Sequence, residues 1–497
     1  MSDRGLGAEE SPPRLYLARP LLLAGALGLL LLLFAGGYGY HRDELYFLAA
    51  GRHLAWSYPD QGPLTPLIAH LMHTLAPGSL TVLRAPAALM SALTVLTSSL
   101  ICFELGGNRR AQVIAAACTA CASVVVVVGH LLSTTTFDLL AWATVSWLIV
   151  RALRTGDSWL WVAGGAVSGV ALLNKPLIAF LLLALGAGLL LVGPRQVLRS
   201  VWPWGGLLLA LALWSPWLVW QSEHGWPQLE VSSSIASGGS ASSQPRWALV
   251  PFQFLLVSPV LAPVWIAGLI APWRNPRLAP YRLFAAAWLA LVVVFLVSGG
   301  KPYYLAGLFP VLLGAGAIDV DRWLARRPVL RGRLLFAALA LSGLVSAVIG
   351  LPVLSERQLG PVLALNGDAG ETVGWPALVR SVASVARSAG PRTVVFTSNY
   401  GEAGAIERFG PPLGIDVAYS GHNGFAEWGP PPDRRTPVVV VGLEPNELLR
   451  HFGGCRLAAR ISNPAGVANQ ERGEPIDLCR ETRTPWSQMW PSLRHLG

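Results

Sequence analysis

Two adjacent carboxylates, Asp43 and Glu44, lie near the start of YGYHRDELYFLAAGRHLAWSYPDQGPLTP (residues 38–66), and a third acid, Asp60, sits in its Pro/Gly turn. A fourth, Asp138, lies in STTTFDLLAW. The chain has only two lysines, Lys175 in LLNKPLI and Lys301 in SGGKPYYL, each followed by a proline. A carboxylate can take a proton from an attacking hydroxyl. A lysine ammonium is a compact point charge suited to phosphate. Acids at three places and cations at two therefore suit a general base beside an anion-holding site. Each group also has a purely structural use. Acids in a first helical turn favour the positive end of the dipole, an aspartate after a Ser/Thr cluster can cap, and a lysine at a membrane edge can snorkel. The histidines are scattered and the acids form no tight cluster, so no metal site is expected, and the pattern requires no cofactor.

The elements that must hold these residues are apolar. Of 497 residues 53% are hydrophobic and only 13% charged, where soluble domains carry about a quarter charged; the mean hydropathy is +0.50. The fold class expected is a polytopic α-helical membrane protein. Runs of roughly 18 or more apolar residues read as spans, and eleven are expected: Leu17–Tyr38, Leu80–Leu105, Ala111–Gly129, Phe137–Leu153, Trp159–Leu173, Leu177–Val192, Trp204–Trp220, Val250–Ala271, Leu283–Val297, Tyr304–Ile318 and Leu334–Leu354. The first reads as a retained anchor, since its apolar run is long for a signal peptide.

Loop charge sets the orientation. With the N-terminus inside, the inner side carries seventeen basic residues, from Arg4, Arg14 and Arg19 to the cluster Arg322–Arg333. The opposite short loops carry six: Arg42, Arg52, Arg84, Lys175, Arg246 and Lys301. The positive-inside rule then predicts N-in and C-out. Most of the net charge of +10 is thereby orientation. No basic run with interleaved aromatics marks a nucleic-acid partner.

After Leu354 the pattern changes. RTVVFTSNY, TPVVVVGLE and CRLAARI read as short buried strands, and WPALVRSVASVARSAG and EPNELLRHFG as amphipathic helices ending at glycine. The expected division is a membrane domain over 1–354, with interfacial helices in its first outer loop (41–79), and an extracytoplasmic α/β domain over 355–497. Cys455 and Cys479 are the only cysteines in the latter. In an oxidising compartment a disulfide between them is expected. Cys102, Cys118 and Cys121 sit in apolar runs and read as small core residues.

The blocks DELYFLAAGRHLAWSYPDQGPLTPLIAHL, TTTFDLLAW, ALLNKPLIAF, WQSEHGWPQLE and GGKPYYLAGLFP, in this order, resemble the membrane glycosyltransferases of the protein O-mannosyltransferase and lipid A aminoarabinose transferase superfamily, the GT-C fold. The resemblance runs from about Leu17 to Ile318. FTSNYGEAGAI, YSGHNGF and the paired cysteines are similar to the tails of bacterial members. Gly62 stands where many members have the first of two prolines, and Gln61 where the aminoarabinose transferases have a lysine, so the donor sugar is not carried over.

The resemblance implies transfer, with inversion, from a polyprenyl-phosphate-linked sugar to an acceptor at the outer face of the cytoplasmic membrane. The acceptor would be an envelope glycan, lipid or protein. Asp43 would be the general base and Glu44 would orient it or the acceptor. Tyr58, Asp60 and Asp138 would line the cavity. Lys175, Lys301, Tyr303 and Tyr304 would meet the phosphate, with room for a divalent cation. A flippase or transporter of lipid-linked sugar is the main alternative; the chain shows neither the matching halves nor the midplane acids common in transporters. A sensor whose outer domain binds a ligand is the third reading.

Overall fold

The computed structural model describes residues 14–240, 243–433 and 435–497. Arg4, used above for orientation, lies outside them. The N-terminal part is a bundle of α1 (Ala18–Phe34), α4 (Leu80–Glu104), α5 (Arg109–Ala120), α6 (Ser123–His130), α7 (Thr134–Thr155), α8 (Trp159–Leu172), α9 (Ile178–Leu191), α10 (Val201–Glu223), α12 (Leu249–Val257), α13 (Ala262–Arg274), α14 (Arg282–Ser298), α15 (Phe309–Arg326) and α16 (Pro328–Gly350). Two helices between α1 and α4, α2 (Arg42–Ala50) and α3 (Leu64–Leu75), and one between α10 and α12, α11 (Pro227–Ser237), complete it.

Among the described residues six helices are long and apolar enough to cross a membrane, or eight if each of two bent pairs is one span. Three shorter apolar helices, α1, α8 and α9, accompany them. Every expected span falls on a helix, yet two are not straight. α5 and α6 meet at 55°, and α12 meets the segment ending in α13 at 83°. The sharper bend turns on Ser258, whose φ of 94° lies outside the helical region. An apolar run reports hydrophobicity alone and is blind to such a break.

Beyond α16 the chain forms an α/β unit. A five-stranded sheet has the order β2-β1-β3-β6-β5, from β1 (Val394–Thr397), β2 (Tyr419–Ser420), β3 (Val438–Val441), β5 (Arg456–Arg460) and β6 (Pro475–Cys479). β1 pairs parallel with β2 and β3, whereas β6 runs antiparallel to β3 and β5. All four residues of β1 and of β3 are buried, as continuous apolar runs require. The expected strands are β1, β3 and β5, but β5, expected to be buried, is exposed or half-buried along its length because it lies at the edge of the sheet. β6 escaped notice because PIDLC carries a proline and an acid. A disulfide joins Cys455 to Cys479, tying the approach to β5 to the end of β6. α18 (Trp375–Ala389) covers the sheet, and α19 (Tyr400–Phe409) follows β1.

One hydrophobic core crosses between the two parts. Leu45, Tyr46, Phe47 and Leu48 of α2 share it with Trp375, Val379, Val395, Ile406 and Val439. α2 is thus no helix lying open on a membrane surface: apart from Asp43 all its residues are buried. The tail supplies the cover that the local pattern of Leu45, Leu48 and Ala49 does not reveal. α3 fits the interfacial expectation better, because Leu67, Leu71 and Leu75 remain exposed along one stripe.

Candidate active site

α2 begins with a capping box. His41 Nδ1 accepts the Asp43 N–H at 3.2 Å, and Glu44 Oε2 accepts the His41 N–H at 2.9 Å. The cap sets the two acids on different paths. Glu44 is wholly buried and takes two parallel bonds from Arg84, Nε to Oε1 and Nη2 to Oε2, each 2.8 Å. The Leu132 N–H adds a bond of 2.9 Å to Oε1. Arg84 spends its remaining donors on the carbonyls of Ala35 and Gly39, both at 2.7 Å. With every acceptor site engaged, Glu44 has no oxygen left for a substrate. Of the two orienting parts expected of it, toward the acceptor or toward Asp43, the first is corrected: Glu44 anchors α2 on α4 and can act on Asp43 only through the helix that carries both. Burial pushes the Glu44 carboxyl up, but the charge and hydrogen bonds of Arg84, with the His41 and Leu132 N–H groups, together hold it below the ordinary range.

Asp43 is different. Its side chain is 40% exposed. Oδ1 accepts a bond of 2.8 Å from the Tyr400 hydroxyl of α19. Oδ2 lies 3.9 Å from His41 Nδ1 and is the oxygen left to take a proton. Burial raises the Asp43 carboxyl, yet His41, Arg42, the Tyr400 hydroxyl and Lys301 together hold it below its usual value.

Asp60 reaches the same region from the Pro/Gly turn. Its Oδ1 accepts from the Tyr46 hydroxyl at 2.7 Å, and its Oδ2 from Asn423 Nδ2 at 3.1 Å. Tyr46 and Tyr400 stack with centroids 4.7 Å apart, so each of two stacked phenols serves one acid. Burial pushes the Asp60 carboxyl up to about 7, with the Asp43 charge adding to it. The two acids are thus driven apart: near neutral pH Asp43 is ionised and Asp60 is half protonated.

Gly62 holds that turn against the bundle. Its N–H donates to the Asn174 carbonyl at 3.3 Å, which a proline could not do. A Cβ there would stand 2.0 Å from the Leu173 carbonyl. Thr65 Oγ1 donates to Asn174 Oδ1 at 2.7 Å, locking the loop to the turn that carries Lys175. Tyr58 is corrected from its expected place in the cavity lining. It is buried, and its single hydroxyl proton is shared between the carbonyls of Ala50 and His53, 2.9 and 3.1 Å away, closing the end of α2.

The cations gather on the other side. Lys175 Nζ lies 5.2 Å from the Tyr303 ring centroid and 5.0 Å from that of Tyr304, distances at which the ring faces attract an ammonium. It interacts electrostatically with Asp138 and Asp43. Asp138, in the second turn of α7, is buried and accepts from Trp142 Nε1 at 3.1 Å. Lys301 Nζ donates to Ser240 Oγ at 3.0 Å. Burial and the nearby Lys175 push the Lys301 ammonium down to about 8, against the pull of Asp43. Burial lowers Lys175 as well. Residues from four separate segments thus converge: Asp43 and Asp60 between α1 and α4, Asp138 at the start of α7, Lys175 between α8 and α9, and Lys301 with the tyrosine pair between α14 and α15. No group of three or more His, Cys, Asp and Glu able to hold a metal occurs among the described residues.

In sequence, residues 60–220 match the family described as dolichyl-phosphate-mannose-protein mannosyltransferase. In structure, the chain is similar to ArnT from Cupriavidus metallidurans bound to undecaprenyl phosphate, with a TM-score of 0.60 at 16% identity over 92% of this chain and 97% of that one. The chain has the GT-C glycosyltransferase fold. The apo form of the same ArnT aligns at 0.59 over the same shares. The oligosaccharyltransferase of Archaeoglobus fulgidus tethered with an acceptor peptide aligns at 0.49 and 12% identity, over 80% of this chain and 63% of that one. No curated protein matches in sequence. Within this GT-C chain, a multi-pass membrane protein, the matched segment contains Asp60, Asp138 and Lys175, while Asp43 and Lys301 lie outside it.

Sequence reasoning did not single out Arg84, Arg42, Tyr46, Tyr400 or Asn423 as site residues. Arg84 and Arg42 entered only as loop charge. Tyr400 and Asn423 lie in FTSNYGEAGAI and YSGHNGF, the two tail blocks that carried a resemblance without a role. Those blocks were the available signal.

Proposed function

We propose that the chain transfers a sugar from a polyprenyl-phosphate-linked donor to an acceptor hydroxyl at the outer face of the cytoplasmic membrane, with inversion at the anomeric carbon. The observation that carries this reading is an aspartate held toward its ionised form, with one oxygen free of hydrogen bonds, facing a site that also holds two half-buried lysines from separate turns. The acceptor oxygen attacks the anomeric carbon and its proton goes to Asp43 Oδ2. The bond from that carbon to the phosphate oxygen breaks, and its electron pair leaves with the phosphate. Lys175 and Lys301 stabilise that charge, and the Tyr303–Tyr304 pair fixes Lys175 from its ring faces. Phosphate is already a good leaving group, so a base, orientation and cations are the main needs. Asp60, half protonated near neutral pH, can give a hydrogen bond to a sugar hydroxyl as well as accept one. Asp138 keeps Lys175 charged and in place.

The test uses the purified full chain in detergent. The donors are undecaprenyl-phosphate mannose and undecaprenyl-phosphate arabinose, with an envelope extract as acceptor and released undecaprenyl phosphate as the readout. Release that depends on the extract and falls about 10² to 10⁴-fold in Asp43→Asn, with donor binding kept, is expected. Normal release by Asp43→Asn would overturn the base, and failure of the wild type to bind undecaprenyl phosphate would overturn the donor class. Movement of the lipid-linked sugar across vesicles without release would turn the reading into a flippase.

A further inference from the structure

We propose that Tyr400, contributed by the C-terminal α/β unit, is a positioning residue for the base Asp43, so that the active site is complete only when that unit is docked on α2. The inference rests on the role of Asp43 given above and adds the control of that residue by a segment some 350 positions away in the chain.

Three observations meet at Tyr400. Its hydroxyl donates to Asp43 Oδ1 at 2.8 Å. That bond occupies one carboxylate oxygen and leaves Oδ2 for the incoming proton. Its ring is clamped, with Tyr46 stacked at 4.7 Å, the Arg42 guanidinium at 4.8 Å and the His422 ring at 4.7 Å. Its backbone is fixed, because Tyr400 is the first residue of α19 and the helix starts in a capping box between Asn399 and Glu402. One turn later Gly404 lies against α2, where an added Cβ would come 2.9 Å from the Leu45 backbone. Tyr400 and Gly404 share a helix face at i and i+4. The glycine lets the two helices approach closely enough for the phenol to reach the carboxylate.

The charged surroundings of Asp43 come from several elements. His41 and Arg42 stand on α2, and Lys301 and Lys175 on two turns of the bundle. Asp60 stands on the first outer loop. Tyr400 is the hydrogen-bond donor to the carboxylate among the described residues. A donor to the ionised form favours that form, so loss of the hydroxyl raises the pH at which Asp43 takes up a proton and stops acting as a base.

The experiment compares pH–rate profiles of wild type, Tyr400→Phe, Gly404→Ala and Asp43→Asn, with the same undecaprenyl-phosphate donors and envelope extract. Tyr400→Phe keeps the ring stack and removes only the hydroxyl. The expected result is an acidic limb displaced upward by about one pH unit and a lower kcat, with KM for the donor unchanged. Gly404→Ala, which keeps the hydroxyl but wedges the helices apart, is expected to move the limb the same way by less. It also keeps the test open should Tyr400→Phe fold poorly. An unmoved acidic limb and unchanged kcat in both variants, with Asp43→Asn inactive, would overturn the role of Tyr400 alone. Full activity of Asp43→Asn would overturn the base reading beneath it.

Discussion

Arg84 and Glu44 form a two-pronged ion pair, 2.8 Å at each prong, and neither side chain reaches solvent. Breaking such a pair from one side leaves a buried charge unmatched, at a cost of about 3–5 kcal/mol. Glu44→Gln and Arg84→Ala should therefore lower the unfolding temperature in detergent sharply, whereas Asp43→Asn should leave it near wild type. Thermal unfolding of the three variants separates anchoring from catalysis. A Glu44→Gln protein of normal stability with selectively lost turnover would restore the expected role of Glu44 in orienting the acceptor. Arg52→Ala serves as control. Its exposed pairing with Glu407 is of a kind that contributes little, so stability and turnover should stay close to normal.

Donor affinity should depend on pH through Lys301. Its ammonium is pushed down to about 8, so the cation is present below that pH and is lost as pH rises through it. Binding of undecaprenyl phosphate, measured by titration, should weaken by about tenfold between pH 7 and 9.5. Lys301→Arg keeps its charge at both values and should flatten the profile. Lys301→Ala should bind weakly at both. A wild type that binds equally at pH 7 and 9.5 would remove Lys301 from the phosphate site.

The Cys455–Cys479 bridge should withstand alkylation of the native protein until a reductant is added. Peptide mapping then reports two newly labelled thiols. A bridge across 24 residues stabilises by about 3 kcal/mol in the loop-closure account. Reduction should loosen the sheet around β5 and β6 and leave the helical bundle nearly unchanged in hydrogen exchange. Labelling of both cysteines without reductant would show them free.

The charge asymmetry of the loops predicts an outer C-terminal unit. An alkaline phosphatase fused after Gly497 should be active in intact cells, and a fusion after Arg327 inactive. The reverse pattern would place Asp43 and both lysines on the inner side and defeat the proposed donor geometry.

The candidate site residues of the bundle stood out in the sequence because each breaks its local background. Asp43, Asp60, Asp138, Lys175 and Lys301 are ionisable residues in or beside apolar runs, where charge is costly. The helical spans and the short buried strands β1 and β3 were legible for the same reason, since hydrophobic length and continuity are local properties. What a local pattern cannot carry is the pairing of distant segments. DE reads as two equivalent acids. Only the packing of α4 against α2 brings Arg84 to one of them and leaves the other to Tyr400, 357 residues away. Composition and periodicity determined that this is a membrane bundle with acids and cations in its loops and an α/β tail. The tertiary structure decided which acid stays free, because the ion pair exists only once α4 has packed on α2, and the stacked phenol and the glycine-wide helix approach only once the tail's core has closed over α2.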